Sequence, residues 1–203
     1  IVSSFGKASE NAHQWSQCLE QLTQCWKPRK PSLLLAKLPD APAGIYSTAV
    51  SFDSHACFAA DGSQIYPDRH EIPDLAMIQL GKVFIGYRTD VPPCLSSEAR
   101  LLTPDLLDAL IENPMEKPPF EQFVTDERTT AELETLATLA EQFPTGIPRL
   151  ALLDGSLIYW NLEDRPAAWR KLLLGRIRDS MKRLKESRTP IVAYISRPGS
   201  RDV

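Results

Sequence analysis

The sequence predicts an α/β fold: a mixed β-sheet, part antiparallel meander and part parallel, flanked by helices. Two observations carry this prediction. Extended apolar runs follow one another closely over residues 56–88, as the strands of a meander do. Farther on, strand, helix and strand succeed each other between 147 and 199, the order of a parallel crossover.

Taken in order, the first element is an amphipathic helix over 8–26. Ala12, Trp15, Cys18, Leu19, Leu22 and Cys25 recur at three- and four-residue steps, Ser9 caps the start and Lys27-Pro28 closes the end. Residues 27–47 hold Pro28, Pro31, Pro39, Pro42 and Gly44 and read as an irregular connection. The division expected is therefore an N-terminal helix and connection over 1–50 and a catalytic-type domain over 51–203. Within 55–71 an apolar run reaches Asp61-Gly62-Ser63 and resumes as a second extended run. Residues 75–88 read as a further strand pair bending at Gly81-Lys82. Residues 103–143 are helical and acidic, interrupted around Pro114, Pro118 and Pro119. A strand near 150, a long helix from about 165 to 187 and a buried strand and turn over 189–199 complete the chain.

Composition excludes several classes. With 203 residues, 43% hydrophobic and 24% charged, the chain is neither disordered nor fibrous. No apolar run approaches the roughly 20 residues that span a bilayer, so no membrane segment is expected. The start at Ile1 shows no basic stretch followed by an apolar one, which reads as no signal peptide. Cys18, Cys25, Cys57 and Cys94 form no C-x-x-C pair, and none has a histidine at zinc-ligand spacing; of the histidines, His13, His55 and His70, only His70 lies near a chemical motif. Free thiols point to a reducing cytoplasm.

The most informative feature is a repeated pattern. Ala59-Ala60-Asp61-Gly62-Ser63-Gln64-Ile65-Tyr66 and Leu152-Leu153-Asp154-Gly155-Ser156-Leu157-Ile158-Tyr159 share apolar-apolar-Asp-Gly-Ser-x-Ile-Tyr. Asp-Gly is also a common hairpin signal. Occurring twice after buried runs, it reads instead as two strand-end carboxylates able to converge on one sheet edge. Paired carboxylates repel unless protonated or bridged, and hard cations such as magnesium or manganese suit oxygen ligands. A two-metal site needs further acids. The helix near 127–143 offers Glu132, flanking its apolar face, and Glu134, nearer the opposite side; Glu132 is the better candidate. The stretch 165–188 carries nine cations and two acids, a net +7 against −10 for the remainder of a chain of net −3. Its Arg170, Lys171, Arg176 and Arg178 read as contacts to a DNA backbone.

The AADGSQIYPDRHE segment, the helical Arg128-x-x-x-Glu132, the LLDGSLIYW segment and the VAYISRPGSRD strand and turn, in this order, resemble the NurA nuclease family over about residues 55–203. The resemblance implies an RNase H-like core, shared with Argonaute PIWI domains. It also implies manganese-dependent nuclease activity on DNA ends, magnesium being the other possibility. Ring-shaped homodimers and a HerA-type hexameric translocase in DNA end resection come with it. Carried over by position, Asp61 and Asp154 are metal ligands and Glu132 the third acid, with Glu134 in reserve. Asp61 would bridge two ions, with Asp154 and Glu132 each holding one. Family members continue past the Y-I-S-R strand into a part supplying a further acid or histidine, so the domain is expected to be truncated at Val203. Two other readings remain open: a catalytically incomplete module that docks DNA or a translocase, and a metal phosphohydrolase acting on small esters.

Overall fold

The computed structural model describes residues 53–67, 75–143 and 146–195, together with Gln14 and Gln17, which are helical and exposed. The remainder of the expected 8–26 helix, the 27–47 connection, His13, His70, Cys18, Cys25 and Ser196-Arg197 of the Y-I-S-R element lie outside the described residues. The chain divides at Ser51, and the description below concerns the unit Phe52–Val203.

Five strands form one sheet in the order β3-β2-β1-β4-β5. β1 (His55–Ile65), β2 (Ala76–Tyr87) and β3 (Cys94–Leu102) are antiparallel neighbours, whereas β4 (Arg149–Asp154) lies parallel to β1 and β5 (Ile191–Tyr194) parallel to β4. The mixed sheet expected from the order of elements is the sheet observed. Three helices complete it: α1 (Pro104–Leu110), α2 (Phe120–Gln142) and α3 (Ala167–Glu186).

Strand alternation decides which face is the core. Ala56, Phe58 and Ala60 of β1, Ile78, Leu80 and Phe84 of β2, and Ala151 and Leu153 of β4 are all buried together. Against this face lies α2, with Phe123, Val124, Leu133, Leu136 and Ala137 fully buried. In turn α3 packs on α2 through Trp169, Leu173, Ile177 and Leu184, and so lies outside it relative to the sheet. The opposite face of the sheet presents Ile85, Leu95, Leu101, Leu152, Val192 and Tyr194 to the exterior.

Helix ends are satisfied by side chains from afar. Buried Arg149 of β4 donates from Nη1 to the carbonyl of Ala140 at 2.7 Å, near the C-terminus of α2. At the start of α3, Glu116 Oε2 accepts from the Ala168 amide at 2.9 Å. Both contacts tie helices to other elements.

Three local expectations are corrected. Residues 75–88 are not a strand pair: β2 runs unbroken through Gly81-Lys82, because every residue from Met77 to Tyr87 has a partner on β1. Nor does β1 end at Asp61, since Asp61, Gly62 and Ser63 pair with Gly81, Leu80 and Gln79. Finally, the meander extends beyond residue 88 to an edge strand, β3, of which only Leu102 is fully buried. A strand wet on most of its length carries little apolar periodicity to read.

Candidate active site

The two carboxylates of the repeated pattern come together, although only one ends a strand. Ala60 of β1 is paired with Leu153 of β4 in the parallel register, and Asp61 and Asp154 follow one step beyond. Ala60 and Leu153 face the core, so both aspartates face the other side, on strands about 4.8 Å apart. Both are exposed, and both line one concavity of about 520 Å³ with Ala59, Val83, Leu152 and Tyr194. The opening over Asp61 comes from its cross-strand partner, Gly81, which contributes no side chain to that face. After Asp154 the chain does turn: Gly155 takes φ +118°, a conformation glycine adopts without strain, and its amide donates to the carbonyl of Tyr194 at 3.0 Å. Ser156 closes the turn, its Oγ accepting from the Ile158 amide at 3.0 Å.

Glu132 approaches the same strand from the core side. It is 5% exposed, and its Oε1 accepts from Arg128 Nη1 at 2.6 Å. The same Arg128 nitrogen donates to the carbonyl of Gly62 at 3.1 Å. This explains Gly62 differently from the sequence reading. A Cβ there would meet Glu132 Oε1 at 2.7 Å and Arg128 Cγ at 2.8 Å, so glycine is required for close approach of α2 and not for a turn. Burial pushes the Glu132 carboxyl up to about 7; Arg128 opposes this and the charge of Asp61 adds to it. Tyr159 lies five residues beyond Asp154, its hydroxyl buried without a hydrogen-bond partner among the described residues. Its hydroxyl is pushed up to about 12 by burial and by the charge of Glu132. Glu134, the reserve acid, is directed elsewhere, onto Arg176 at 2.7 Å.

Asp61 and Asp154 present oxygen donors side by side, as a hard divalent cation requires. Among the described residues, however, no three His, Cys, Asp or Glu side chains gather closely enough to hold a metal ion. Glu132 instead lies on the core side of β1, its carboxylate engaged by Arg128. The aspartate pair fits a cation, and the full three-acid set does not form in this arrangement.

The expected DNA-contacting residues divide. Arg176 is engaged within the fold: its guanidinium bonds Glu134 at 2.7 and 3.0 Å and also Glu127, so every nitrogen faces a carboxylate from α2. It braces two helices, and it also lines the groove of Arg170, Lys171 and Arg178 described next. Arg170, Lys171 and Arg178 line a groove of about 1030 Å³ between α3 and the end of α1, with Leu110 and Ile111. Arg170 donates to the carbonyl of Glu163 at 3.0 Å, and the Arg178 side chain is 82% exposed. This groove shares no lining residue with the aspartate concavity, and α2 with the sheet stands between α3 and the face bearing Asp61 and Asp154. Among the described residues, none that lines the aspartate concavity is basic. The basic helix and the acidic strand ends, expected side by side, are thus not brought together. Arg128 and Tyr159 are the site neighbours that residue type did not single out; the four-residue spacing of Arg128 and Glu132 was the available signal.

Among the described residues no helix is long and apolar enough to cross a membrane. No curated protein matches the sequence significantly. Among solved structures, the crystal structure of the NurA nuclease from Sulfolobus solfataricus is similar, with 11% identity and a TM-score of 0.47; the match covers 100% of this chain and 62% of that one. RNase H1 from Halobacterium salinarum NRC-1 is similar at 16% identity and a TM-score of 0.33, over 70% of this chain and 86% of that one. The chain therefore spans less than two thirds of the length of the Sulfolobus nuclease. The NurA domain matches residues 55–203, a span that contains Asp61, Arg128, Glu132 and Asp154, and the chain belongs to the NurA family.

Proposed function

We propose that this chain is a metal-dependent nuclease domain hydrolysing DNA phosphodiesters at strand ends. The observation that carries the reading is the pair Asp61 and Asp154, side by side on neighbouring parallel strands of a NurA-family domain and lining one concavity. These two carboxylates would hold the ion, manganese first and magnesium second. A divalent cation held there supplies Lewis acidity to a phosphodiester. The side chains do the rest. Among the described residues, Asp61 and Asp154 are the charged groups lining a concavity otherwise walled by apolar and aromatic side chains and Gly81. Glu132, fixed by Arg128 against Gly62, adds negative charge behind β1. Arg170, Lys171 and Arg178 are available for backbone contacts away from the reacting phosphate. The same reading has the domain working in the cytoplasm as a homodimer with a HerA-type translocase in DNA end resection.

The test is cleavage of linear DNA with manganese. Asp61→Asn is expected to lower the rate by about 10³-fold, roughly 4 kcal/mol of transition-state stabilisation, with an unchanged or higher Tm. Undiminished cleavage by the variant would sink the reading. One observation favours a second reading, a non-catalytic NurA-like module: the Glu132 carboxyl is already engaged by Arg128. Wild-type protein that binds DNA or the translocase yet never cuts under manganese would establish that alternative.

A further inference from the structure

The groove of about 1030 Å³ between α3 and the end of α1 has a floor and a rim of different chemistry. Its floor is apolar: Leu110 and Ile111 come from the end of α1, and Leu172, Leu174 and Gly175 from α3. Leu110 is 39% and Leu174 49% exposed, so leucine surface from both helices is left open to one channel. Its rim is basic. Lys171 and Arg178 are exposed, and the Arg170 hydrogen bond goes to the backbone carbonyl of Glu163, which leaves that charge uncompensated. Asp179 is the acid along the same lining, 4.0 Å from Arg178 with both side chains mostly exposed. Gly175 adds an independent observation. It stands in the middle of α3, where glycine weakens a helix relative to alanine, yet among the described residues no atom lies within 4 Å of the place its Cβ would take. Packing within the described domain therefore does not require glycine there, in contrast to Gly62. A missing side chain on an open helix surface lets a second backbone come close.

We propose that this groove docks an acidic amphipathic helix of a partner protein. Apolar side chains of that helix lie on the floor, its backbone passes close to Gly175, and its carboxylates meet Arg170, Lys171 and Arg178. The lining follows α3 from Ala167 to Asp179, about 18 Å at about 1.5 Å per residue, room for about three turns of such a helix. A DNA backbone would use the rim charges but gain nothing from the leucines or from Gly175. A second copy docked through the same groove about a two-fold axis would set these cations against their own counterparts. The inference goes beyond the nuclease reading and does not depend on it, since docking here needs neither metal nor DNA.

The test uses the whole 203-residue chain without divalent cation. The probe is a fluorescein-labelled peptide of about 16 residues, with leucines at three- and four-residue steps and glutamates between them, followed by anisotropy. Saturable binding is expected, at least about tenfold tighter than that of a shuffled peptide whose leucines no longer share a face. Gly175→Leu, which fills the groove, is expected to weaken binding about tenfold with Tm level or raised, so that the loss is not one of folding. Lys171→Glu with Arg178→Glu, on exposed positions, is expected to weaken it by at least as much and serves as the reading should Gly175→Leu lower Tm. Absence of saturable binding, or wild-type affinity in either folded variant, would overturn the proposal. Equal binding of the shuffled peptide, with duplex DNA displacing both, would assign the cations to a nucleic-acid backbone and overturn it as well. So would a wild-type dimer in sedimentation that Gly175→Leu dissociates, because the occupant would then be a second copy.

Discussion

Two acidic regions of this domain are treated in opposite ways. Between α2 and α3, carboxylates have cations: Asp126 takes both Nε and Nη2 of Arg165 at 2.7 and 2.8 Å, Glu127 and Glu134 share Arg176, and Glu141 takes Arg183 at 2.6 Å. On the open face of the sheet, Asp61 and Asp154 lie next to each other and, among the described residues, neither has a cationic partner. Paired charges between helices are accounted for by packing. Adjacent like charges in an open concavity are not, and folding alone gives no reason to keep them. Glu132 stands between the two cases, a buried ion-paired acid that senses Asp61.

The sharpest contrast is in stability. Asp126 is 2% exposed and also accepts from Trp169 Nε1 at 2.9 Å. Asp126→Ala leaves Arg165 and the indole without their acceptor, and is expected to cost about 3–5 kcal/mol in urea unfolding. A loss below about 1 kcal/mol would erase the distinction drawn above.

Glu132 gives a pH signature of intermediate size. Its carboxyl is raised from 4.5 to about 7, so between these values the folded state holds more proton than the unfolded one. Its contribution is therefore fully present below pH 4.5 and is lost as pH rises through about 7. Glu132→Gln, which cannot titrate, should gain on the wild type by a few kcal/mol across that window, measured as the difference in unfolding free energy at pH 5 and pH 7.5. A pH-independent difference would show that Arg128 keeps Glu132 ionised throughout.

The smallest effect is expected at the open face. Asp154→Asn removes one of two adjacent like charges from exposed positions and should stabilise the fold by about 0.2–1 kcal/mol in the absence of divalent cations. Destabilisation of more than 1 kcal/mol would mean that Asp154 has a structural partner and belongs with the interhelical acids.

How much of this was legible can be traced residue by residue. Ala56, Phe58 and Ala60 alternate as a half-buried strand should, and the α3 stripe of Trp169, Leu173, Ile177 and Leu184 has helical spacing; local periodicity carried both. The convergence of Asp61 and Asp154 followed from a repeated local pattern placed on neighbouring strands. Asp61-Gly62 was misread as the end of a strand because a strand break and a close helix contact both favour glycine, and only the partner across the gap tells them apart. The ion pairing of Arg176 was not legible for a similar reason: a cation on a helix announces its charge, whereas Glu127 and Glu134 lie 49 and 42 residues away.

The sequence by itself determined the element types, the mixed sheet and the two aspartates, because these depend on periodicity and residue chemistry within short windows. Tertiary structure decided which charges were spent on packing, why Gly62 is glycine, and that α3 stands behind α2 and away from the aspartates. Each of those depends on a contact between segments far apart in the chain, and strand order and helix packing alone set such distances.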